Sequence, residues 1–275
     1  TIITNDPAKR YYYTLLFGDK YRVKIATRNV NIPGIQNFRD LGGYPSYSTK
    51  KQVRWGMIYR SAEIDSLECY SRRELRNLGI KTLIDLRTSS ETGRQSPLQK
   101  EFNVVHIPLA TGDMENILKG IREEKIKSDT VYRMVEQMNR DLIDKYTTEY
   151  RQIFDILLDK NSYPVVIHCS SGKGRTGIVS ALVLAALGIN EDIIMEDYRL
   201  SNDYFNIPSA SKDAYQLPAR SQEAITTLFS AREDFLNAAK EEAECRYGDI
   251  DTYLQKGIGL NKNEIKRLRS ILLSD

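Results

Sequence analysis

Long apolar runs are missing from this chain of 275 residues. Nothing in it approaches the ~18–20 consecutive apolar residues that span a bilayer, so no integral membrane segment is expected. Cysteine is scarce. Cys69, Cys169 and Cys245 make an odd number with no CxxC spacing, which argues against a disulfide framework. With only two histidines there is no zinc pattern either, and neither metal nor cofactor is expected. An excess of one charge is lacking too: 40 basic residues face 37 acidic ones. A net charge of +3 is too small to imply a nucleic-acid partner. Any anion-binding chemistry must come from where the basic residues sit. Repeats and low-complexity linkers are absent, and this length suits one domain, 1–275, around a sizeable core. Thr1 in place of Met fits a processed or trimmed product, which tilts the expected location toward export or the periplasm over the cytoplasm.

What the chain does have is concentrated in Pro164–Gly177, PVVIHCSSGKGRTG. Its apolar, β-branched start reads as a buried strand, and IVSALVLAAL, 178–187, reads as a buried helix that ends at Gly188. A loop closing into a helix N-terminus turns several N–H groups inward, which suits an oxyanion. Gly172 and Gly174 permit tight turns and a close ligand approach. Arg175 offers a planar fork for two phosphate oxygens. Cys169 at the base of such a cradle lies in a positive field that favours the nucleophilic thiolate. Either Thr176 or Ser170 can hydrogen-bond the sulfur.

Together, His168-Cys169-x5-Arg175-Thr176 matches the signature of the cysteine-dependent protein tyrosine phosphatase superfamily, and the chain resembles that superfamily. Asn37–Tyr44 (NFRDLGGY), 53–62 (VRWGMIYRSA), 78–87 (LGIKTLIDLR) with Glu91, and 197–201 (DYRLS) resemble its bacterial branch, similar to the mycobacterial secreted tyrosine phosphatase. The resemblance implies an α/β fold with a central, mostly parallel sheet flanked by helices. It implies phosphomonoester hydrolysis through a phosphocysteine, with phosphotyrosine proteins or phosphoinositides as substrates and dual specificity within reach. Cys169 is then nucleophile, and Ser170, Ser171, Gly172, Lys173, Gly174, Arg175 and Thr176 hold the phosphate. Arg39 and Asp40 are expected beside the same pocket. Many relatives carry Asp where this chain has Gly174, so the acid that protonates the leaving group must come from elsewhere. Asp113, after the strand 104–109, is the candidate; Asp129, Asp141 and Asp144 are alternatives. Lys173 is a second loop cation that either solvates or favours an extra phosphate. A phosphoinositide phosphatase and a non-catalytic phospho-recognition module remain as alternatives, with sulfur transfer or arsenate reduction behind them.

The rest of the pattern fills out the fold. Segments 11–17 and 21–26 flank Gly18-Asp19-Lys20 as a β-hairpin, within an extension 1–27. Asp85, Arg87 and Glu91 read as a charged network that braces loops. The charged stretch 111–149 has helical periodicity and is expected to be a lid insertion. Residues 221–246 read as one helix, followed by a closing helical pair.

Overall fold

The computed structural model describes residues 10–18, 21–65, 67–92 and 97–274. The extension before Arg10 and the turn residues Asp19 and Lys20 lie outside the described residues. Its strands are β1 (Tyr12–Phe17), β2 (Tyr21–Ala26), β3 (Arg39–Asp40), β4 (Pro45–Ser46), β5 (Lys51–Val53), β6 (Ile58–Ser61), β7 (Thr82–Asp85), β8 (Asn103–His106), β9 (Val165–His168) and β10 (Leu273–Ser274). The helices are α1 (Cys69–Asn77), α2 (Ser89–Thr92), α3 (Met114–Arg122), α4 (Ser128–Lys145), α5 (Thr147–Leu157), α6 (Gly174–Ala186) and α7 (Glu191–Arg199). They continue with α8 (Ser201–Tyr204), α9 (Ile207–Ala210), α10 (Ala219–Phe229), α11 (Glu233–Tyr247), α12 (Ile250–Thr252) and α13 (Lys262–Leu272).

The central sheet has the order β3-β6-β9-β7-β8, with only β3 antiparallel to its neighbour. All four residues of β9 are buried, as a strand covered on both faces requires. Its side chains alternate between two cores. Val165 and Ile167 join the large helical cluster with Ile178, Leu182 and Phe154, while Val166 joins Phe38, Tyr59 and Leu83 on the other face. Register aligns the strand ends: Ser61 and Asp85 both pair with His168. The loops after these strands therefore meet at one edge, where open parallel sheets bind ligands.

The hairpin forms as expected, with Tyr12 opposite Ala26 through to Phe17 opposite Tyr21. Its base is tied to the body by Arg10, which meets Asp40 Oδ2 at 2.6 Å and donates to the Thr27 carbonyl at 2.9 Å. Two further readings change. The segment 111–149 is not a lid throughout. In α4, Val131, Val135, Asn139, Leu142 and Ile143 are buried, and the helix packs on α6, α10 and α11. A stripe that wide has to face a core; α3, with its mostly exposed first turn, is the part left at the rim. The expected helix 221–246 is two helices. At the break, Asn202 Nδ2 donates to the Ala231 carbonyl at 3.0 Å and Asn202 Oδ1 accepts from its N–H at 2.7 Å. A side chain from another element thus takes over backbone groups that helix continuation would use. The break leaves Leu228 and Phe229 at the end of α10, facing the loop after β9.

Candidate active site

Cys169 lies on the floor of a cleft of about 760 Å³ and is 1 % exposed. Burial alone pushes its thiol up. The Arg175 charge, the Thr176 hydroxyl and the Thr176 and Gly172 amides outweigh that and hold the pKa below its ordinary value. Of the two hydroxyls considered for the sulfur, Thr176 is the one that contributes to holding the thiol low. Ser170 Oγ donates instead to Glu91 Oε1 at 2.7 Å. Just before the loop, burial pushes His168 down to about 4 against the opposing pull of Asp85, so the imidazole is neutral at pH 7.

Gly172 has φ +67°, and a Cβ there would come within 2.4 Å of the Ser61 backbone. Only glycine fits. Gly174 is different: nothing lies within 4 Å of the Cβ position, so the space at this site accepts a side chain. The expected steric need for glycine holds at the first position alone.

The loop is braced from outside the cleft. Asn37 Nδ2 donates to the Ser171 and Gly172 carbonyls at 3.2 and 3.1 Å, and Arg60 Nη2 donates to the Gly172 carbonyl at 2.8 Å. In a trans peptide the N–H points opposite to the C=O. Drawing these carbonyls outward aims the Gly172 and Lys173 amides inward. Arg60 in turn meets Asp197 Oδ2 at 2.6 Å, and Arg39 Nη2 donates to the Asp197 carbonyl at 2.7 Å. Burial alone would push the Asp197 carboxyl up; the two arginines and the Tyr44 hydroxyl hold it low.

Arg39 and Asp40, expected at the pocket, are corrected here. Both are 0 % exposed and absent from the cleft lining. Arg39 turns to Asp197, while Asp40 accepts from Gly42 and Gly56 N–H at 2.7 Å each and from Arg10. A charge with no water must find fixed partners, and theirs lie outside the cleft lining.

Glu91 is the residue the sequence reading put in the wrong group. Asp85 and Arg87 do form a network, with Arg87 Nη2 at 2.9 Å from Asp85 and 2.8 Å from Asp65. Glu91 leaves it and spans the Arg175 fork, with Oε1 2.6 Å from Nη2 and Oε2 2.7 Å from Nη1. Burial would raise its carboxyl; Arg175, the Thr88 N–H and Ser170 bring it down to about 2. Arg175 Nη1 also donates to the Leu109 carbonyl at 3.2 Å. These bonds fix the guanidinium plane over the loop.

The cleft draws Cys169, Ser170, Ser171, Lys173, Gly174, Arg175 and Asp113 together. Asp113 caps α3, accepting from Asn116 N at 3.0 Å and from Asn116 Nδ2 at 2.6 Å, and its side chain is exposed at the mouth. Of the alternative carboxylates, Asp129, Asp141 and Asp144 are paired with Arg133, Lys145 and Arg246 and do not line the cleft. Lys173 is 5 % exposed; its Nζ donates to the Leu228 carbonyl at 2.5 Å and lies 6.0 Å from the Phe229 ring centroid. Burial pushes it down to about 7, with Cys169 opposing. Phe229 stacks on Phe205, centroids 5.7 Å apart, and both border the cleft, as do Val135, Met138 and Leu142. Neither phenylalanine was legible as a site residue, because no local pattern marks an aromatic that tertiary packing brings to a cleft. Among the described residues no group of three or more His, Cys, Asp or Glu could hold a metal, and no helix is long and apolar enough to cross a membrane.

A sequence profile of the tyrosine phosphatase family matches residues 30–274. Over 285 aligned positions the chain is 30% identical to the triple specificity protein phosphatase PtpB of Mycobacterium tuberculosis, covering 88% of this chain and 98% of that one. It is 25% identical over 221 positions to a tyrosine-protein phosphatase of Nostoc commune, covering 76% of this chain and 72% of the relative.

Proposed function

The chain belongs to the tyrosine phosphatase family, and on that premise we propose that it hydrolyses aryl phosphates, phosphotyrosine foremost, through a phosphocysteine on Cys169. The observation that carries this is the buried Cys169 with a lowered pKa, at the floor of a cleft walled by Phe205, Phe229, Met138 and Leu142. A thiolate that deep is reached by a phosphate on a long, flat arm.

In the first step the Cys169 thiolate attacks phosphorus, the P–O ester bond breaks, and the alcohol leaves with a proton from Asp113. In the second, the Asp113 carboxylate takes a proton from water as that water attacks phosphorus and displaces the sulfur, releasing phosphate and the thiolate. Arg175 and the inward amides of Gly172 and Lys173 hold the equatorial oxygens through both steps. Ser170 fixes Glu91, and Glu91 fixes Arg175; Ser171 and Gly174 line the pocket. A proton donor in this position contributes roughly 10²–10⁴-fold, more for a poor leaving group.

The test is turnover of matched phosphotyrosine, phosphoserine and phosphoinositide substrates, with rapid acid quench to trap the intermediate. Phosphotyrosine should dominate, the phosphoryl group should appear on the Cys169 peptide, and Cys169→Ser should abolish both. Asp113→Asn should slow alkyl phosphates far more than activated aryl phosphates. Turnover that survives Cys169→Ser would overturn the scheme.

A further inference from the structure

A second cavity, of about 590 Å³, shares no lining residue with the Cys169 cleft. Its floor is hydrocarbon: Ile178 and Leu182 of α6, Ile194 of α7, Leu236 of α11 and Ile143 of α4. Its rim is acidic. Glu191 and Asp192 come from the first turn of α7, Glu233 and Glu244 from α11, Asp249 is the N-cap of α12, and Asp251 lies within α12. Lys240 is the one basic side chain in the lining.

The ion pairs leave this rim short of cations. Arg199 meets Glu233 at 2.6 Å. Lys240 Nζ sits 2.6 Å from Glu191 Oε2 and 3.6 Å from Glu244 Oε1. Asp249 caps α12 through the Thr252 N–H, with the charge of Lys256 in range. Asp192 and Asp251 have no ion-pair partner among the described residues. The rim thus already holds one primary ammonium at hydrogen-bond distance and has carboxylates to spare for another.

We propose that this groove is a binding site for an aliphatic primary ammonium, its hydrocarbon body on the α6–α7–α11 floor and its cation on the rim carboxylates that lack an ion-pair partner, Asp192 and Asp251. The volume is in the range of small-molecule sites, roughly 300–1,000 Å³, in which apolar walls supply affinity and a few polar groups orient the ligand. Charge complementarity excludes a carboxylate ligand of the same shape, and the floor excludes a bare inorganic cation as the preferred occupant.

The experiment is calorimetric titration of the intact protein with hexylammonium, 1-hexanol and hexanoate. Hexylammonium should bind saturably at one site, 1-hexanol at least about tenfold more weakly, and hexanoate not at all. The double substitution Asp192→Asn with Asp251→Asn should weaken hexylammonium about tenfold and leave 1-hexanol unchanged. Ala181→Phe, which fills the groove from α6, should remove binding of both. Unchanged aryl phosphate turnover reports that each variant is folded. Should Ala181→Phe fail to fold, the double variant and the three-ligand series still decide. Equal binding of hexylammonium and 1-hexanol, no saturable binding, or full affinity in the double variant would each overturn the proposal.

Discussion

Two arginine–carboxylate clusters serve the same loop and do opposite work. Arg39 and Arg60 with Asp197 lie outside the cleft, with side-chain exposures of 0, 0 and 2%. Arg175 with Glu91 lies in it, and the Glu91 side chain keeps 30% of its surface. The chemistry of the pairs is alike; their access to water is not. Where both partners are dry, the pair is skeletal: it fixes the Gly172 carbonyl and through it the direction of the amides. Where one partner is wet, the arginine is held in plane at the wall of the cleft. Lys173 is the third case, a buried cation whose hydrogen-bond acceptor is a main-chain carbonyl and whose pKa falls accordingly.

The largest expected effect is on the dry cluster. Asp197→Ala strands two buried guanidinium groups and should lower the free energy of unfolding by ~3–5 kcal/mol, read by urea denaturation. An equal loss on Glu91→Ala would erase the distinction between the clusters. The wet cluster should answer in catalysis. Glu91→Gln keeps the shape but weakens two charge-assisted bonds, so kcat/KM should fall about 10- to 100-fold, with stability close to the parent. Equal kcat/KM would show that Glu91 does not orient Arg175. Because the folded Glu91 carboxyl is depressed to about 2, its stabilising contribution is present above the unfolded value and is lost as pH falls toward 2.

The smallest effect sharpens the third case. The Lys173 pKa is depressed on folding, so between about 7 and its ordinary value the unfolded chain binds more protons than the native one. Stability from this group must therefore rise with pH across that window. The difference in unfolding free energy between the parent and Lys173→Met should change in the parent's favour from pH 7 to 10. A pH-independent difference would mean that the ammonium is not desolvated as its burial indicates.

The loop from Cys169 to Arg175 was readable because its geometry is local. A strand, a tight turn and a helix N-terminus are set by consecutive residues, and Cys169 and Arg175 fall on one face of that turn by spacing alone. The hairpin was readable for the same reason. Arg39, Asp40 and Glu91 were misplaced because a charged side chain near a loop can face the cleft or the core, and the choice depends on partners far along the chain. For Arg39 the partner is Asp197; for Glu91 it is Arg175. The break between α10 and α11 was hidden too, since Asn202 supplies it from another helix.

Sequence by itself thus determined the strand–loop–helix that carries Cys169 and Arg175, and the family, both of which rest on short-range backbone geometry and residue chemistry. Tertiary structure decided which charges are wet and which are dry, which carboxylate holds Arg175, and which aromatic rings border Cys169. Those outcomes follow from burial, and burial is a property of residues brought together from distant parts of the chain.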